Sequence, residues 1–122
     1  MSVWRHKAIE CFPEGRAEFQ HPQTSIYTVF STLLSATVAA HKAGDYNRLK
    51  QYYAFAEWCS QQNAPELWNA AGVSFYEHLG DYSETLAAMP AWITRSRYQH
   101  IRGLLQLRIT EKQLQELDNM FK

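Results

Sequence analysis

Glu57 and Glu77 are the residues whose type and placement come nearest to chemistry. On two neighbouring helices, a pair of carboxylates can divide acid and base work between them or hold a metal ion. Asn69 shares a helical face with Glu66, Val73 and Glu77 and would floor a polar cleft facing Glu57. The same pattern has a plainer meaning, because a helix that is apolar on more than one side sits centrally in a bundle with its polar residues at the margins. His41 and His78 fall on or beside apolar stripes, where a histidine bonded to a neighbour is commoner than a ligand. Stronger motifs are missing. There is no HExxH, no CxxC and no repeated ExxH pair. Ser74 is not in a GxSxG turn, and no Gly-rich phosphate loop exists. Adjacent on a helix, Glu77 and His78 diverge. Cys11 and Cys59 are far apart, outside any metal or redox motif, and are expected to be reduced. The expectation is therefore no catalytic residue, no metal and no cofactor.

These residues must be carried by helices, because the apolar periodicity is helical nearly throughout. A first short helix is expected over residues 3–12, then a loop over 13–23 marked by Pro13, Gly15 and Pro22. Residues 25–42 form a second helix, with Thr24 or Ser25 as its cap and a stripe from Ile26 through Phe30, Leu33, Leu34 and Val38. Gly44 suits the position that closes it, and Asp45 caps a third helix reaching about Gln62. Asn63 would cap a fourth, with Pro65 in its first turn and Leu67, Trp68, Ala71, Phe75 and Leu79 on one face. Ser83 would cap a short helix to Met89, and Pro90 starts or bends the next. Thr110 and Gln113 have capping-box spacing and open a last helix through Phe121. The tripeptide Gly44-Asp45-Tyr46 returns as Gly80-Asp81-Tyr82, an echo resembling a tetratricopeptide-like period, although Gly-Asp is a common helix joint. The fold class expected is all-α: an irregular bundle of five to seven helices in antiparallel hairpins, with a tetratricopeptide-like arrangement as the alternative, in a single domain over residues 1–122.

With 122 residues, 46% of them apolar, the chain can build one ordinary core. Its net charge is zero, which removes the usual argument for nucleic acid or an anionic membrane as partner. The charge is nevertheless uneven. Residues 43–91 hold six acids against Arg48 and Lys50, whereas residues 92–110 hold Arg95, Arg97, Arg102 and Arg108 and no acid. The two segments either attract one another in the fold or offer surfaces of opposite sign. Arg95, Gln99, Arg102 and Gln106 form one strip, read as a solvated face. Without an export signal or a long apolar run, the chain is expected to be cytoplasmic.

Trp58 falls on the polar side of the third helix, among Asn47, Gln51, Ala54 and Gln61. Either another element, such as the N-terminal helix, covers that face, or Trp58 is an exposed anchor for a partner.

The run Tyr53-Ala54-Phe55-Ala56-Glu57-Trp58-Cys59, followed by Asn69-Ala70-Ala71-Gly72-Val73-Ser74-Phe75-Tyr76-Glu77-His78-Leu79, resembles a family of small bacterial proteins known as domain of unknown function 7674. The resemblance covers roughly residues 30–80. It implies a bacterial origin and a helical fold, carries no activity to transfer, and draws attention to Glu57, Trp58, Asn69, Glu77 and His78.

Three functions fit these features. The first is a protein-binding module, most concretely an immunity protein that neutralises a toxin. Its acidic middle would meet a basic toxin domain through Asp45, Glu57, Trp58, Glu66, Asn69, Glu77 and Asp81. The second is a tetratricopeptide-like regulatory or scaffold protein that holds a peptide in a groove. The third is a hydrolase or metal-dependent enzyme using Glu57 and Glu77.

Overall fold

A computed structural model describes residues Met1–Lys122 and contains eight α-helices and no strand. They are α1 (Val3–Cys11), α2 (Arg16–Phe19), α3 (Ile26–Ala43), α4 (Tyr46–Ser60), α5 (Pro65–Ser74), α6 (Ser83–Trp92), α7 (Arg95–Leu105) and α8 (Glu111–Met120). Short 3-10 segments lie at Pro13–Gly15 and Tyr76–Asp81. The helix count exceeds the five to seven expected because residues 13–23 are not all loop. Phe19 is fully buried, and its burial gathers Arg16–Phe19 into a turn of helix.

Local capping chemistry sets most of the helix ends. Ser25 accepts from the Thr28 backbone, Asp45 from Arg48 and Thr94 from Arg97. The Thr110–Gln113 box closes in both directions. Gly44 has φ of 67°, the left-handed conformation that lets α3 stop and the cap of α4, Asp45, follow one residue later. Other ends differ from expectation. Ala64, not Asn63, stands before α5 and offers no side-chain cap, while Pro65 occupies the first turn as expected. α6 begins at Ser83 without a side-chain cap and runs through Pro90 to Trp92. Near a C-terminus the proline removes one hydrogen bond and the helix continues past it.

The largest departure follows α5. The expected helix to Leu79 stops at Ser74, and Phe75 leaves helical geometry with φ −127° and ψ −72°. The chain then tightens into the 3-10 segment, where residues three apart eclipse. Tyr76 and Leu79 are three apart and both buried, so overwinding points both rings and branches inward beside Phe75. The two Gly-Asp-Tyr copies also differ. Gly44 is the only residue with positive φ, and Asp45 caps a helix. Gly80 and Asp81 lie inside the 3-10 segment, and Asp81 bonds to side chains instead of capping α6.

One cluster of 28 buried residues runs from Ala8 to Phe121 and draws on all eight helices. α3, α4 and α5 pack on one another, α1 lies on α4, and α7 lies on the Tyr76–Asp81 segment. At the centre Phe30 meets Phe55 and Phe75 at ring separations of 5.4 and 5.8 Å. Burying such rings supplies much of the folding free energy of a small domain. No helix is long and apolar enough to cross a membrane.

Candidate functional site

The acidic middle and the basic late segment meet inside the fold. Arg97 donates from Nε and Nη2 to the two oxygens of Glu57 at 2.8 and 2.9 Å, joining α7 to α4. Arg97 and then burial act in opposite directions on Glu57, and the arginine prevails, holding the carboxyl below its usual range. Gln61 adds a bond at 2.9 Å. Arg108 serves the other acids: its Nη2 donates to Asp81 at 3.2 Å, and its Nε lies 3.9 Å from Glu77. His78 Nδ1 lies 2.8 Å from Asp81 and 2.6 Å from Arg108. Glu57 and Glu77 therefore answer to different arginines, and nowhere do three His, Cys, Asp or Glu side chains gather as a metal ion would need.

The remaining expected contact residues are dispersed. Asp45 is spent on its cap and on Arg48 at 3.4 Å. Glu66 is exposed and makes no ion pair. Asn69 donates to the Tyr27 hydroxyl at 2.9 Å. Trp58 is half-buried, stacked on Phe55, with Lys7 of α1 over its ring at 5.0 Å. Of the two alternatives for Trp58, the N-terminal helix does lie across that face. His41 takes the expected neighbour bond, to the Tyr53 hydroxyl at 2.8 Å. Burial lowers its proton affinity despite Glu84 nearby.

A cleft of about 390 Å³ lies between α5 and α7. Its apolar walls are Trp68, Val73, Ile101 and Leu104, and its polar lining is Ser60, Asn69, Tyr76, Arg97 and His100. Gly72 opens the space: a Cβ there would stand 3.1 Å from a Leu104 methyl. Trp68 was expected among the core contacts of its helix, yet it is 48% exposed. α5 packs inward through Ala70 and Ala71, whose small side chains bring the helix close and leave the indole at the cleft. Arg97 forms the join between cleft and interior. Two of its nitrogens are fixed on Glu57, while Nη1 forms no bond within the fold. No fully buried polar side-chain atom lacks a partner, so Nη1 keeps access to solvent. His100 Nδ1 donates to the Ser96 carbonyl at 2.8 Å, which leaves Nε2 without a partner in the fold. Burial raises the Tyr76 phenol well above its ordinary range. Sequence reasoning reached Asn69 but not Trp68, Arg97 or His100 as parts of one site. The spacing of Glu57 and Arg97, 40 residues apart, carries no local signal of their pairing.

The architecture is thus an all-helical bundle with a mixed apolar and polar cleft between α5 and α7, and four of the six acids of the middle segment are paired with arginines. The chain belongs to the family described as a domain of unknown function, DUF7674, whose model matches residues 5–117. No curated protein and no solved structure matches the chain.

Proposed function

We propose that this chain is a small protein-binding module that acts as a bacterial immunity protein, neutralising a toxin by direct binding in the cytoplasm. The observation that carries the reading is Trp68, 48% exposed at the mouth of the α5–α7 cleft and flanked on α5 by the unpaired Glu66 and by Asn69. A large, rigid aromatic beside a pocket is the side chain most often found at the energetic centre of a contact. With Glu57, Glu77 and Asp81 engaged by Arg97 and Arg108, charge steering falls to fewer acids than the composition suggests. The grip then comes from the indole and the cleft.

The test is a search of the adjacent genes for a toxin and co-expression of this chain with the toxic domain found there. Growth protection and a stable complex are expected from the native chain. Trp68→Ala should weaken the complex at least tenfold, the loss of one anchoring aromatic, or about 1.4 kcal/mol. An unprotected host, or a complex indifferent to Trp68, would refute the reading. A peptide-holding scaffold is the second reading, favoured by the cleft itself, and would show as tight binding of an extended peptide with no toxin involved.

A further inference from the structure

We infer that the α5–α7 cleft is a carboxylate site: it takes a bulky apolar group, best an aromatic one, that carries a carboxylate beside it. The inference rests on the proposed role of this face in contact, and names the chemistry of what enters it.

Charge and hydrogen-bonding capacity select the carboxylate. Arg97 is the charged side chain of the lining and no acid is present there; Glu57, which pairs with Arg97, is not among the lining residues. Glu57 fixes the guanidinium through Nε and Nη2, which leaves Nη1 as a preset donor. The Tyr76 phenol adds another donor. Donors held in place before binding lose little entropy when an anion arrives.

Size and lining select the apolar body. A volume of about 390 Å³ falls at the low end of the range for small-ligand pockets. It suits a single aromatic residue more than an extended chain. Trp68 and Leu104 offer a stacking and packing surface for a ring, and Gly72 supplies the depth. Asn69 gives its amide hydrogen to Tyr27 and keeps its carbonyl oxygen, an acceptor for an N–H next to the carboxylate. That combination is found at the last residue of a polypeptide and equally in a free N-acylated amino acid.

The test titrates the full chain with N-acetyl-phenylalanine and its carboxamide while following backbone amide shifts. Separate arms use a short peptide ending in Phe with a free or an amidated end. Saturable shifts at Ser60, Gly72 and His100 are expected with the acid, with at least tenfold weaker binding of the carboxamide. Arg97→Lys should lose at least tenfold, because a lysine lacks the fork that lets one arginine serve two carboxylates. Gly72→Ala crowds Leu104 and should weaken binding without unfolding the chain, which keeps the test decisive if Arg97→Lys fails to fold. Tighter binding of the free-ended peptide than of the amino acid assigns the ligand to a chain terminus, and equal binding assigns it to a small acid. Equal affinity for acid and carboxamide, or no saturation by about 10 mM, overturns the site. Acid binding that persists when toxin protection fails sinks the functional reading alone.

Discussion

Arg97 holds Glu57 by two parallel hydrogen bonds, at 2.8 and 2.9 Å, and is at the same time part of the lining of the α5–α7 cleft. One guanidinium thus braces α4 against α7 and equips the site. Arg97→Ala should cost about 1–2 kcal/mol in urea unfolding, because it strands a partly buried carboxylate. The range is kept low because the Glu57 side chain retains 35% of its exposure, where water screens the pair. Glu57→Gln should cost less, and a double-mutant cycle should show coupling. Additive effects would mean that the pair contributes nothing to the fold.

Arg5 does a different kind of joining. Its guanidinium donates to the carbonyls of Phe19, His21, Pro22 and Thr24 at 2.7–3.0 Å. These acceptors have few other partners in a chain segment between helices, so one side chain holds the turn from α2 to α3 against α1. Arg5→Lys should lose most of that grip, since an ammonium cannot reach four acceptors spread about a plane. The expected loss is about 1–3 kcal/mol, measured by thermal unfolding, with faster amide exchange confined to residues 19–25.

Acid should loosen the C-terminal pair of helices before the rest. Asp118 accepts from Arg102 at 2.8 and 2.9 Å and from the Tyr98 hydroxyl at 2.6 Å. Arg102 first, then Tyr98, holds the carboxyl down to about 2 from an ordinary 3.8. Because the unfolded chain binds this proton more readily, the contribution is complete above the ordinary value and is lost as pH falls from about 4 toward 2. Asp118→Asn should remove that acid dependence. Unchanged steepness of the acid limb in that variant would show that other carboxylates set it.

Both thiols should be silent in the folded protein. Cys11 and Cys59 are buried, and burial pushes each up to about 12. A protonated, covered thiol is a poor nucleophile. A disulfide-based thiol reagent should react at the rate of opening in buffer and at once with both residues in denaturant. Fast labelling in buffer would show that α1 lifts off α4 readily.

The two tryptophans singled out on α4 and α5 should separate by behaviour. Trp58→Ala removes the stack on Phe55 and the Lys7 contact and should cost about 1–3 kcal/mol, less than a fully buried ring. Trp68→Ala should cost under about 0.5 kcal/mol, as exposed positions do, while weakening partner binding. The opposite ranking in chemical denaturation would reverse their roles.

What could be read from the sequence was local. Ser25, Asp45 and Thr110 cap helices because a side chain bonds to a backbone N–H two or three residues on, which spacing alone reveals. Gly44 follows from the same locality. The helix after Pro65 was misjudged in length because Phe75 and Leu79 keep a helical-looking period while the backbone overwinds. Trp68 lay on the apolar side of its wheel, and a wheel shows direction without showing whether a neighbour closes over it. The attraction between the acidic and basic segments was foreseeable as a sum. Which acid met which arginine depended on how α7 lay across α4 and the 3-10 segment.

The tripeptide shared by residues 44–46 and 80–82 takes two unlike shapes. At Gly44 there is open solvent on the side a Cβ would occupy, whereas at Gly80 that atom would stand 2.6 Å from an Ile109 methyl. The first glycine is needed for a torsion, the second for room. Alanine scanning across the pair would meet two separate penalties under one spelling, and exchanging the tripeptides would leave the molecule identical. Identity of letters here marks a coincidence of demand, and each surrounding imposes its own.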